Sequence, residues 1–423
     1  MLRTLRAALL ALLTAGVLSV SGAAADPGDL DPSFGTGGIV STDLGAGGTR
    51  LQALVRQPDG KLVAAGGAWF GYVQGDIAIV RLTDAGALDP TFGVNGLVTT
   101  DLGGSEMAWA LALQVNGKLV VAARSYVAGA DRLYLVRYLP DGTLDPAFGS
   151  GGIVATPIDG SAGLPYGLAV QPDGRIVAAG SRGPSGVDVV RYTAAGAPDS
   201  EFGTNGTVAT PFGGVSGYAS WYGVAVQPDR RIVVKANSGY GVELVRLTPN
   251  GTLDPMFGSG GHAQIPVPLT STGMLLQPNG KIVMAGLSTC GDSCDFGLVR
   301  LGTYGWLDTT FGTNGFVTTD LGAHEFAYGL ARQPDGKLVA VGGRRLVSAP
   351  PTDSDFVVAR YLKTGELDTA FGGGDGVVLT DIAGDDTATA VALQPDGKVV
   401  AAGDGFASSP YPPTRFVLVR YAG

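Results

Sequence analysis

Histidine and cysteine each occur only twice in 423 residues. Two cysteines cannot build a disulfide framework or a four-ligand zinc site. Gly-x-Ser-x-Gly, His-Glu-x-x-His and a Gly-x-Gly-x-x-Gly after a strand are all missing, so the common hydrolase, metalloprotease and dinucleotide signatures are absent. Charged residues make up only 15% and sum to −9. Without clustered Lys and Arg there is nothing to grip phosphates, which excludes a sequence-independent nucleic-acid or anionic-membrane binder. Beyond the first 25 residues no run approaches the roughly 18 apolar residues of a membrane span.

Those first residues read as a secretory signal: Arg3 and Arg6, an apolar stretch Ala7 to Val20, and the small-residue site Ala23-Ala24-Ala25. Residues 1–25 are therefore set aside as a signal peptide. The mature chain, 26–423, is expected to be secreted, extracellular or periplasmic, with a formal charge of −11 once the two arginines are gone. Glycine is plentiful, 69 of 423, beside 45% hydrophobic content. It follows no three-residue period, which excludes collagen, and the apolar content is too high for disorder. Glycine between short apolar runs implies many strands joined by tight turns.

Internal repeats decide the fold. A Leu-Asp-Pro-x-Phe-Gly element has its aspartate at Asp31, Asp89, Asp145, Asp199, Asp254, Asp308 and Asp368. A Gln-Pro-Asp-Gly-Lys element begins at Gln57, Gln114, Gln171, Gln227, Gln277, Gln333 and Gln394. An apolar-Arg-Tyr or apolar-Arg-Leu element ends strands at Arg81, Arg137, Arg191, Arg246, Arg300, Arg360 and Arg420. Within a unit, Leu111-Ala112-Leu113, an Asn-Gly turn and Leu119 to Ala122 read as a tight hairpin. A β-branched strand ending at Arg137 follows, and then Ile153-Val154-Ala155-Thr156. Four strands repeated seven times predict a single all-β domain, a seven-bladed β-propeller of antiparallel blades.

Residue size orders the strands. The strand before each Gln-Pro-Asp-Gly carries Ala or Gly at alternate positions, such as Ala110 and Ala112 or Gly223 and Ala225, which suits the crowded axis. This is strand a; the Lys-rooted strand is b, the Arg-ending strand c and the Val-Thr-Thr strand d. Six arginines precede an aspartate by eight residues, but Arg420 has none after it and Asp31 has no arginine before it. The ring is predicted to close by pairing Ile39-Val40-Ser41-Thr42 with Phe416-Val417-Leu418-Val419, leaving no blade incomplete.

The three markers, in constant order, resemble the delta-60 repeat of exported bacterial proteins over nearly all of residues 30–423. Pro198-Asp199-Ser200-Glu201, Asp229-Arg230 and Gln114-Val115-Asn116 depart from the pattern. The resemblance implies a propeller fold and an exported location. It implies no activity.

The repeated aspartate and arginine are read as structural, the aspartate capping the Phe-Gly turn. A lone carboxylate is weak for calcium, which takes six to eight oxygens. His262 opens a strand d and is read as a tolerated replacement. His324 lies in a d-to-a loop beside Glu325. Asp381, Asp385 and Asp386 could hold calcium or act on sugars, but a solvated acidic loop is the favoured reading. Cys290 and Cys294 are expected to form a local disulfide. The Asn-Gly-Thr sequences at Asn205 and Asn250 read as turns.

Variation falls on one face. The a-to-b and c-to-d turns are uniform, whereas the b-to-c and d-to-a loops carry Trp69, Phe70, Tyr72, Tyr126, Trp221, Arg344, Phe406 and Tyr411. Five residues before each repeated glutamine stand Gln52, Trp109, Tyr166, Tyr222, Thr272, Tyr328 and Thr389. Aromatics around an axial opening either stack a ligand, sugars especially, or cap the blade cores. The candidate ligand-binding residues are Trp69, Trp109, Tyr166, Trp221, Tyr222 and Tyr328. The expectation is a monomeric, non-catalytic module recognising a glycan or extracellular protein, with no catalytic residues, no required cofactor or metal, and no nucleic acid. The alternative is a carboxylate-dependent hydrolase or lyase, calcium-assisted at most, at the axial opening.

Overall fold

The computed structural model describes residues 25–44, 47–69, 75–127, 129–156, 167–181, 186–210, 212, 223–238, 241–288, 293–346, 354–382, 384–406 and 414–423. Seven four-stranded antiparallel sheets follow one another as blades. Blade 1, for example, comprises Gly48–Arg56, Leu62–Trp69, Gly75–Leu82 and Leu97–Thr100, in the order a, b, c, d. The a strands of successive blades lie side by side, and that of blade 7, Thr387–Leu393, lies beside that of blade 1. Strand a is therefore innermost. Among the described residues the one helical element is a 3-10 turn, Gly372–Gly374, and no helix is long and apolar enough to cross a membrane.

Strand b is the most deeply buried. Leu62 to Ala65, Leu119 to Ala123 and Val399 to Ala402 are at most 1% exposed. Both faces of a blade pack on neighbouring blades, so these strands read as continuous apolar runs rather than alternating ones. The a-to-b turns require a left-handed residue: Gly117 has φ 81°, and Arg230, standing where other copies have glycine, takes φ 68°.

The ring closes as expected. Ile39 pairs with Val419, Val40 with Leu418, Ser41 with Val417 and Thr42 with Phe416. Both ends of the chain then rebuild the missing turn of blade 7. Gly28 N donates to Ala422 O (3.0 Å), Ala422 N to Asp29 O (2.8 Å) and Asp31 N to Arg420 O (2.9 Å). Elsewhere the Phe-Gly amide donates to the c-to-d turn of the next blade, as Gly93 N does to Asp141 O (2.7 Å). In blade 6 the same amide, on Gly372, donates to Pro27 O (3.0 Å).

The three sequence markers meet in one cluster, repeated in every blade. In blade 2, Asp145 Oδ1 caps the amide of Ala147 (3.1 Å) while Oδ2 accepts from Arg137 Nε (2.7 Å) and Lys118 Nζ (2.8 Å). The Arg137 guanidinium lies 4.3 Å from the centre of the Phe148 ring and donates onward to Ala194 O of blade 3. Blade 7 assembles the same cluster from both chain ends, with Arg420 Nε 2.7 Å and Lys398 Nζ 3.2 Å from Asp31 Oδ2. The repeated aspartate is thus a cap and a counter-ion at once.

Candidate functional site

Strand a carries a β-bulge at one fixed position. The register slips between Leu51 and Ala53, Ala108 and Ala110, Ser271 and Gly273, Ala327 and Gly329, and Ala388 and Ala390. The extra residues are Gln52, Trp109, Thr272, Tyr328 and Thr389, so the sequence position five before the glutamine is a bulge in every blade whose whole inner strand is described. Bulges re-aim a side chain and leave a peptide unpaired. They also bring strand a's backbone close to strand b: a Cβ at Gly66, Gly286, Gly342 or Gly403 would collide with the carbonyl oxygen of Arg50, Thr270, Phe326 or Thr387.

The peptide before the bulge is satisfied from the preceding blade, as a buried peptide must be. Leu51 N donates to Asp404 Oδ1 (2.6 Å), and Thr389 Oγ1 donates to Leu51 O (2.8 Å). Ser271 N donates to Asn237 Oδ1 (3.1 Å), and Ser271 O accepts from Lys235 Nζ (2.6 Å) and Asn237 Nδ2 (2.8 Å). Thr272 Oγ1 donates to Ala327 O. At the junctions of blades 7 and 1, 4 and 5, and 5 and 6, polar side chains therefore tie the inner strand to the neighbouring blade.

Two of these side chains are ionisable, Lys235 fully buried and Asp404 part-buried. Burial pushes the Asp404 carboxyl up to about 7, against the Leu51 amide and the Arg50 charge. Burial alone pushes the Lys235 ammonium down to about 7; the side chain is fully buried and forms no ion pair among the described residues. Alanine stands at its place in blades 1, 2, 3, 5 and 7. The unfolded chain keeps this lysine protonated to about pH 10.4, so between pH 7 and 10 the unfolded state holds more protons and native stability rises with pH. K235M is expected to add on the order of 2 kcal/mol at pH 7 and to flatten that rise. Chemical denaturation from pH 6 to 10 measures both, and a wild-type curve already flat from 7 to 10 contradicts the reading.

Of the candidate aromatics, Trp109 and Tyr328 sit at bulges and are half-buried. Trp109 packs on the core shared by blades 2 and 3, and its buried indole Nε1 finds no acceptor among the described residues. Tyr328 stacks on Phe326 with centroids 6.4 Å apart. Burial raises its hydroxyl pKa, Arg50 of blade 1 and Arg345 oppose, and Asp385 reinforces. Charges from more than one blade thus converge on this phenol. Trp69 is elsewhere: it ends strand b of blade 1 opposite Gly75, and its indole covers that glycine. Tyr166, Trp221, Tyr222 and Cys290 lie outside the described residues, as do Phe70, Tyr72 and Tyr411. Cys294, just before strand c of blade 5, is disulfide-bonded.

Two expectations about the loops change. His324 is the first residue of an inner strand, His324–Arg332, rather than a loop residue, and its Nδ1 accepts from Cys294 N (3.3 Å). Asp386 is fully buried rather than solvated, because the peptide of Ile382 donates to its Oδ2 (2.8 Å). Sequence reasoning also passed over Glu106 and Glu325, which are 1% and 0% exposed. The signal was the repeated Asp-Leu-Gly-x-x-Glu spacing of Asp101 to Glu106 and Asp320 to Glu325.

A closed ring of repeated four-stranded blades with a bulged inner strand defines a β-propeller repeat protein. The chain belongs to a β-propeller repeat family: residues 57–92, 114–148, 171–202, 227–257, 277–311 and 333–371 match "Domain of unknown function (DUF5122) beta-propeller". Each match runs from the repeated glutamine to the repeated phenylalanine; the seventh unit is divided between the chain ends. No curated protein matches the chain. Among solved structures it is similar to virginiamycin B lyase from Staphylococcus aureus, at 13% identity and TM-score 0.48, covering 90% of this chain and 98% of that one. It is similar to a protein from Lactobacillus plantarum at 16% identity and TM-score 0.49, covering 84% and 98%. It is also similar to an ulvan lyase of polysaccharide lyase family PL25 at 10% identity and TM-score 0.46, covering 94% and 95%. At such identities and scores nothing of their activities transfers to this chain.

Proposed function

We propose that the chain is a secreted, monomeric, non-catalytic propeller that recognises a glycan or an extracellular protein at the axial opening of its variable-loop face. The observation that supports this is the bulge ring. In five blades one described residue is thrust out of the strand bordering the axis, and in two of these it is an aromatic, Trp109 or Tyr328. Tyr166 and Tyr222 hold the same sequence position. Aromatic faces rimming an opening stack sugar rings or apolar side chains. The secretory leader and the lack of catalytic signatures agree with an exported binding role.

The test is a glycan-array and pull-down screen with the mature protein, followed by affinity measurement on the best ligand. W109A combined with Y328A is expected to weaken binding at least tenfold, about 1.4 kcal/mol, without changing the melting temperature by more than a few degrees. Undiminished binding removes the axial ring as the site. The alternative, a carboxylate-dependent hydrolase or lyase, is favoured by Asp404, whose raised pKa beside Arg50 suits an acid–base group. For that reading D404N must abolish turnover of a bound polysaccharide while leaving its binding intact.

A further inference from the structure

Two corners between blades carry the same group of three carboxylates. At the first, Asp76 on strand c of blade 1, Asp101 just after strand d, and Glu106 on the inner strand of blade 2 bring one oxygen each within 4.8 Å of one another. At the second, Asp295, Asp320 and Glu325 do the same between blades 5 and 6. In both groups the spacing is 25 and then 5 residues. Corresponding residues between blades 6 and 7 are Asp355, Asp381 and Asp386, with the shorter aspartate where the others have glutamate, and these do not converge in that way.

Each glutamate is buried with an oxygen to spare. Glu106 Oε1 accepts from Gly104 N (2.8 Å) and Ser125 Oγ (2.6 Å), and Glu325 Oε1 accepts from Ala323 N (2.8 Å). By hydrogen-bond geometry the second oxygen of both, Oε2, is buried and without a partner among the described residues, although the Leu321 amide also acts on the Glu325 carboxylate. Leaving a buried carboxylate oxygen unpaired is costly, and finding it at the same place in two blades needs a reason. The nearby cations are committed elsewhere. Arg124 pairs with Asp131, and Arg344, opposite Glu325 in register, donates to Leu321 O (3.1 Å). Among the described residues none of the six carboxylates has an ion-pair partner.

We propose that each corner binds one calcium ion, held by Asp76, Asp101 and Glu106 in one case and by Asp295, Asp320 and Glu325 in the other, so that the ion fastens one blade to the next. An all-carboxylate donor set is hard, which suits calcium and disfavours zinc or copper. Oxygens no more than 4.8 Å apart can share one ion through Ca–O bonds of about 2.4 Å. The exposed Asp101 and Asp320 leave the ion open to water, which completes the six to eight oxygens calcium requires. Without a cation the groups repel one another: burial and the neighbouring aspartate raise the pKa of Asp76 and of Asp295.

The experiment uses the full mature chain stripped with chelator and titrated with calcium chloride by calorimetry, bound metal being counted by mass spectrometry after desalting. Two ions per chain are expected for the wild type, one for E106Q or E325Q, and none for the double variant. At calcium a hundredfold above Kd the melting temperature should rise by about 3 °C or more in the wild type and not in the double variant. Glutamine keeps size and hydrogen bonding, and if either variant fails to fold, the exposed substitutions D101N and D320N make the same comparison. Absence of binding up to millimolar calcium overturns the proposal. So does an unchanged stoichiometry in the variants, which would mean that the ions bind elsewhere. Ligand recognition at the axial ring is scored separately, so either idea can fail alone.

Discussion

Asparagine in place of Asp145 is expected to destabilise the protein by about 3–5 kcal/mol, because it strands two cations that share one carboxylate oxygen. Arg137 and Asp145 are 5% and 2% exposed, and the Arg137–Asp145 and Lys118–Asp145 pairs are 2.7 and 2.8 Å long. Asparagine can still cap Ala147 but presents no charge to Arg137, whose guanidinium stays fixed between Phe148 and the carbonyl of Ala194. Urea denaturation at pH 7 measures the loss, and a variant within about 1 kcal/mol of wild type would show that the aspartate serves only as a cap. Acid supplies a second readout. Burial raises the pKa of Asp145, but Lys118, the Ala147 amide and Arg137 outweigh it and hold the carboxyl below its ordinary value of 3.8; Asp31 is held at about 2 by Ser33, Lys398 and Arg420 against burial. A carboxylate depressed in the native state stabilises it fully above the unfolded pKa and ceases to do so as pH falls through the native one. Wild type should therefore lose stability between about pH 4 and 2, and D145N should lose less.

A chain beginning after Asp43 is expected to lose its cooperative fold or to associate. The deletion removes Asp31, the fully buried Phe34 and the whole outer strand Ile39–Thr42. Burying a Phe contributes about 3–5 kcal/mol when judged by its truncation, and the lost strand leaves Phe416 to Val419 as an unpaired edge beside apolar residues at most 1% exposed. Such an edge recruits other chains. Size-exclusion chromatography should show aggregates or oligomers, and soluble yield should fall roughly tenfold or more. A synthetic peptide spanning residues 26–43 should restore the monomer, since it returns every contact except the covalent link. A monomeric truncation melting at the wild-type temperature would mean that closure adds nothing to stability.

Much of this architecture could be read from the chain because it is written seven times. Blade number, strand order and closure follow from marker spacing, and small residues such as Gly223 and Ala225 identify the inner strand by the room they leave. The eight-residue step from Arg137 to Asp145 was visible as a repeat, but that Lys118 shares the carboxylate was not, since that contact depends on how strand b lies beside the turn. The bulge was hidden, because an extra residue in one strand shows only against its partner; the glycines at Gly66, Gly286, Gly342 and Gly403 were its trace. The carboxylate corners were missed for a related reason. Asp76 and Glu106 come from strands of two different blades and Asp101 from the turn between blades, and the Asp-Leu-Gly stretches look like ordinary turns. The axial ring was legible as a position, and half of its aromatics lie outside the described residues.

Where the two chain ends meet, they substitute for a turn that every other blade makes continuously. The interruption is therefore a matter of genetics rather than of mechanics: the covalent gap could be moved to another turn of the same class and the old ends spliced, with each contact of the circle preserved. A chain permuted in this way should keep every strand pairing of the circle.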